Sequence, residues 1–139
     1  MKKIILLISI LTIVYGFSSV DDNHLIPEKS GLLESKFGVW KGTGSQSGMS
    51  WTIKITLNSN EQLIEYPSLG CKEFLILIDE TTTQLLFRET ITTNTVCFNQ
   101  GFVELIETSE TTMDYSFYFS NAENEKGKLG ATGSVKKVK

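Results

Sequence analysis

From Ser50 to Asn58 every second residue is apolar, with Trp51, Ile53, Ile55 and Leu57 alternating with Ser50, Thr52, Lys54, Thr56 and Asn58. A two-residue period sends successive side chains to opposite faces of a strand, one packed and the other wet. The same period returns over 112–120, where Met113, Tyr115, Phe117 and Phe119 share a face. Shorter runs lie between turn-forming residues. Asn58-Ser59-Asn60 leads into a strand over 61–66, Thr81-Thr82-Thr83 into 84–91, a loop over 94–101 into 102–107, and a polar turn over 121–126 into 127–135. The run Phe74-Leu75-Ile76-Leu77-Ile78 reads as continuously apolar, so 73–79 is expected to be a strand covered on both sides or paired at an interface. Ser30 is placed to cap a short helix over Leu32–Phe37, with Leu32, Leu33 and Phe37 turned inward.

A strand over 37–46 completes a set of eight short strands with turn signals at nearly regular spacing and no internal repeat or linker. That rhythm predicts an all-β domain over 37–139, an eight-stranded antiparallel up-and-down barrel preceded by the short helix, with a sandwich as the alternative closure. Closing the sheet removes edge strands that invite aggregation. A barrel of about eight strands has an interior that side chains just fill, or that holds one small ligand.

The chain begins Met1-Lys2-Lys3, followed by an almost unbroken apolar stretch over 4–14 and small residues at Gly16, Ser18 and Ser19. A basic start, a short apolar run and a small-residue cleavage zone predict a secretory signal peptide over 1–16, with a leader and the helix over 17–36. The run is short of the roughly 20 residues a spanning helix needs, so no membrane insertion is expected after cleavage. Formal charge is −3, from 13 basic and 16 acidic residues, and loss of Lys2 and Lys3 leaves 11 against 16. An acidic chain is a poor partner for nucleic acid, which needs a basic face, and for anionic membrane surfaces. Cys71 and Cys97 are the two cysteines. In an oxidising compartment an even count predicts a structural disulfide, worth roughly 3.5 kcal/mol for this loop length.

Phe37-Gly38-Val39-Trp40, after a short helical segment, resembles the Gly-x-Trp signature that opens the first strand of lipocalins and related barrels. The resemblance implies a tryptophan at the closed end beneath a basic side chain, and a small apolar ligand in the barrel mouth. The sole arginine, Arg88, lies in the fifth expected strand rather than a late one, so Lys136 or Lys137 would have to cover Trp40. Tyr66-Pro67-Ser68-Leu69-Gly70-Cys71, then Phe87-Arg88-Glu89-Thr90-Ile91, then Cys97 and Gly101, resembles a group of small exported bacterial domains. In that group the first cysteine is bridged to a second one after a Glu-x-Ile strand. No activity follows from that likeness, and where such domains often carry glycine after the first cysteine this chain has Lys72 and Glu73.

His24 is the only histidine and lies in the leader, which opposes a histidine-dependent triad and a multi-histidine metal site. No catalytic residue, metal site or cofactor is expected. Glu89 shares its parity with Leu85, Phe87 and Ile91, so its carboxylate is expected on the apolar face. A carboxylate there must be hydrogen-bonded, paired, near the rim, or neutral. It either accepts bonds from the Tyr66–Cys71 turn or a tyrosine hydroxyl as a purely structural group, or anchors a ligand in an apolar pocket. A glycosidase needs a second carboxylate about 5–9.5 Å away, and no partner on the same face is apparent. The expected ligand-lining set is Trp40, Trp51, Tyr66, Glu89 and Tyr115, although inward aromatics also serve as plain core. The functional expectation is a non-catalytic barrel binding a small apolar or amphiphilic molecule. The alternative is a filled barrel that contacts a protein partner, such as a hydrolase, through its disulfide-linked loops.

Overall fold

Alternating strands one after another, each joined to the next by a short turn, satisfy their backbone groups by pairing in sequence order. The computed structural model describes residues 31–90, 97 and 100–139; the expected signal peptide, the leader and the Ser30 cap lie outside the described residues. Its elements are α1 (Leu32–Ser35), β1 (Gly38–Gln46), β2 (Met49–Leu57), β3 (Gln62–Tyr66), β4 (Cys71–Glu80), β5 (Gln84–Thr90), β6 (Phe102–Ser109), β7 (Thr112–Ser120) and β8 (Lys126–Lys137). The strands form a closed barrel in the order β1 to β8, and β8 returns antiparallel onto β1. The expected all-β, eight-stranded up-and-down barrel with a short helix before the first strand is therefore the fold.

Register explains which residues form the core. Trp40 pairs with Ile55, Ile55 with Ile64, and Ile64 with Glu73. On the other side Leu77 pairs with Phe87, Phe87 with Val103, and Val103 with Phe117. Each pair shares a face, so one continuous interior runs around the ring. The run over 73–79 corrects the expectation made for it. It alternates after all: Glu73 and Leu75 are buried, while Phe74, Ile76 and Ile78 point outward and are 45%, 52% and 51% exposed. Apolar residues of both parities hid the period, and the strand begins at Cys71 rather than Glu73.

Trp40 closes one end of the barrel. Its ring is fully buried and its Nε1–H donates to the Lys36 carbonyl at 2.8 Å. Lys137 Nζ lies 5.5 Å from the ring centroid, so the late-chain lysine does cover this tryptophan. Lys36, at the end of α1, adds a second cation 6.0 Å from the centroid. Lys36 is itself buried and ion-paired with Glu107, which neutralises it where an unpaired charge would be costly. The Leu33 amide donates to Glu80 Oε1 at 2.9 Å, fastening α1 to β4. The helix is introduced by Gly31 in the left-handed region without a side-chain cap.

The β1–β8 seam draws two backbones unusually close. A Cβ on Gly42 would stand 1.8 Å from the Ser134 carbonyl oxygen, and one on Gly133 would stand 2.0 Å from that of Thr43. Only a residue without a side chain fits at either place, which makes these glycines a condition of closure. Replacing Gly133 by alanine is expected to destabilise the fold by about 1–3 kcal/mol, the usual range for overpacking. Thermal unfolding followed by circular dichroism measures it; an unchanged melting temperature would remove the seam argument.

Candidate functional site

The mouth lies at the end of the barrel away from Trp40, where the β1–β2 turn joins Gln46 to Met49. A cavity of about 450 Å³ opens at this mouth. Trp51 from β2, Tyr115 and Phe117 from β7, and Phe119 at the end of the same strand supply its aromatic wall. Met49 and Leu69, 66% and 48% exposed, stand at its rim. Cys97 also lines it and is bridged to Cys71 at the start of β4, with 6.1 Å between the α-carbons. The expected disulfide is thus present, and it ties the chain after β5 to the turn between β3 and β4.

The floor of the cavity is polar. Glu73 and Glu89 are 1% and 2% exposed, on neighbouring strands, and both line the cavity. Tyr66 Oη donates to Glu89 Oε1 at 2.6 Å, and its oxygen lies 3.0 Å from Tyr115 Oη. A phenol has one proton, so Tyr66 uses its own on Glu89 and accepts that of Tyr115. The two carboxyls interact directly, and each shifts the proton affinity of the other. Burial, then the neighbouring Glu73 charge, hold the Glu89 carboxyl well above the usual range, against the opposing effect of the Tyr66 hydroxyl. Burial also raises Glu73, while the bond from Glu89 lowers it. Glu89, the more strongly raised of the two, is the carboxyl that keeps its proton longer as pH rises. Burial and the adjacent acids push Tyr66 and Tyr115 upward, so both phenols stay protonated. No protein N–H or hydroxyl among the described residues reaches Glu73 Oε2, and Trp51 Nε1 is likewise buried without an acceptor.

Four of the expected site residues, Trp51, Tyr66, Glu89 and Tyr115, meet at this cavity. Trp40 does not, since it lies at the closed end. Glu89 does bond a tyrosine hydroxyl, the first of the two roles weighed for it. The absence of a second acid on its face is corrected: Glu73 is that acid. The signal was present, because Glu73 shares the parity of Leu75 and Leu77, but the flanking Phe74 and Ile76 disguised it. Tyr118 points outward as expected and donates to Glu104 Oε2 at 2.9 Å, with Lys126 Nζ 4.1 Å from its ring centroid. Glu104 also accepts from Gln84 and Lys126, both at 2.5 Å, so this outer cluster is satisfied within itself. Among the described residues no group of three or more histidine, cysteine or acidic side chains is placed to hold a metal.

The fold and the mouth cavity define an eight-stranded antiparallel barrel consistent with lipocalin-like architecture. Comparison with known proteins finds no matching family model, no matching curated protein and no matching solved structure. No described helix is long and apolar enough to cross a membrane.

The raised Glu89 carboxyl has a consequence for stability. Above about pH 4.3 the unfolded glutamate loses its proton while the folded one keeps it. The folded chain then binds more protons, so stability falls as pH rises from there to the folded-state value. Glu89→Gln is expected to flatten that decline and to be more stable than the parent at pH 8. Denaturant unfolding of both proteins at pH 4 and pH 8 tests this; equal declines would mean that burial of Glu89 does not govern its proton.

Proposed function

We propose that the chain is an exported, non-catalytic binding protein that takes a small apolar or amphiphilic molecule in the mouth of its barrel. The observation that carries this reading is the 450 Å³ cavity with aromatic walls and a convergent polar floor. Ligand sites characteristically combine an apolar lining of this size class with a few placed polar groups. The likeness of Phe37-Gly38-Val39-Trp40 to the lipocalin opening, with Lys137 over Trp40, supports the same reading. Export is supported by the signal-like start and by a disulfide, which persists in oxidising compartments.

A second reading has its own observation. Met49 and Leu69 expose apolar surface on the rim, beside the disulfide that rigidifies the loops there. A protein partner, such as a hydrolase, gripping this rim would use a preorganised contact. Residues 98 and 99 of the same loop lie outside the described residues.

Native mass spectrometry on protein purified from an exporting host without detergent separates the two. The binding reading expects a reproducible added mass that is lost on denaturation, and quenching of Trp51 emission when that compound is returned to apo protein. Trp51→Phe should abolish most of the quenching while leaving the mass adduct. A clean apo mass, with emission indifferent to lipid and small-molecule extracts, would shift the assignment to the rim.

A further inference from the structure

The floor of the mouth cavity is acidic and has no counter-ion. Toward Glu73 on β4 and Glu89 on β5 are turned Tyr66 from β3, Tyr115 from β7 and Trp51 from β2. Gln46 from β1 and Ala131 from β8 complete the lining with uncharged groups, and the nearest β6 residue facing inward is Val103. Among the described residues no lysine, arginine or histidine lines the cavity. Lys36 and Lys137 are committed to Trp40 at the other end. Arg88 faces outward over the Phe102 ring, and Lys72 sits outward opposite Glu65. The sequence over 91–99, Ile-Thr-Thr-Asn-Thr-Val-Cys-Phe-Asn, contains no charged side chain.

Two neighbouring carboxyls, 1% and 2% exposed, line an aromatic cavity, and negative charge there is costly unless something compensates it. Among the described residues no N–H or hydroxyl donor reaches Glu73 Oε2, and no acceptor reaches Trp51 Nε1. A carboxylate or phosphate ligand would add charge of the same sign, and a neutral hydrocarbon would compensate nothing. An ammonium supplies the opposite charge and three donors, and it is attracted to the faces of aromatic rings.

We propose that the cavity takes a small organic amine in its protonated form, its ammonium donating to Glu73 Oε2 and its body lying among Trp51, Phe117 and Phe119. The proposal rests on the binding-barrel reading and gives it a ligand class. With the ammonium in place the charge of the ionised Glu73 carboxyl is neutralised, and the more strongly raised Glu89 keeps its proton.

Three probes of one skeleton test the assignment by titration calorimetry: tyramine, tyrosol, and 3-(4-hydroxyphenyl)propionate, which present a cation, an alcohol and an anion. Tyramine should bind at least about tenfold more tightly than tyrosol, because bonds to a charged donor are the stronger kind. The anion should give no heat. Glu73→Gln should weaken tyramine by about 30-fold or more and leave tyrosol unchanged. Glu89→Gln keeps the Glu73 carboxylate beside an uncharged neighbour, so it should still bind tyramine with little change in affinity. That split between two isosteric variants is not what a purely structural pair would show. Tyrosol or the anion binding as tightly as tyramine would overturn the amine assignment and leave the cavity reading standing. A co-purified mass that is not an amine would do the same. Silence from all three probes together with a clean apo mass would overturn both.

Discussion

Everything in this molecule depends on β8 lying down against β1. Until that pairing forms, the sheet has two open edges, and the interior face of every strand meets water on one side. The close approach at Gly42 and Gly133 is where the ring is drawn shut. Once it is shut, parity has only two meanings, inside and outside, and a residue's number within its strand fixes its environment. The buried carboxyls follow from that constraint. Glu73 and Glu89 are interior because their neighbours two residues away are Leu75 and Phe87, and the ring offers them nowhere else to go.

The two ends of the barrel solve the problem of buried charge in opposite ways. At the closed end Lys36 is matched by Glu107, and the aromatic face of Trp40 meets Lys36 and Lys137. At the mouth, acid is set beside acid, and tyrosine hydroxyls and a retained proton offset part of the repulsion. The first arrangement is complete within the chain. The second leaves Glu73 Oε2 without an N–H or hydroxyl donor and Trp51 Nε1 without an acceptor among the described residues.

Much of this was legible before any coordinates. The alternation of Trp51, Ile53, Ile55 and Leu57, and that of Met113, Tyr115 and Phe117, specified strands and their inner faces directly, and the turn spacing specified an up-and-down order. Glu89 stood out because it is a charge in an apolar parity class. Glu73 did not, because a strand whose outer face is also apolar carries no period, and a single acid at its start looks like a boundary. Lys36 was illegible for a different reason: its partner Glu107 is 71 residues away, and pairing at that distance is a property of the closed ring rather than of any local pattern. The cavity itself was beyond reach of sequence, since parity assigns a direction to a side chain but not the volume left at the axis.

The sealing of one end also constrains traffic. With Trp40 fully buried beneath two lysines, the barrel is a cup rather than a tube, and whatever enters at the rim must leave by the same doorway. Arrival and departure then share one path and one barrier. A change at Met49 or Leu69 that narrows the doorway, without touching the floor, slows both journeys by the same factor. On the proposed binding reading, residence time is set at the rim and occupancy by the acids beneath it.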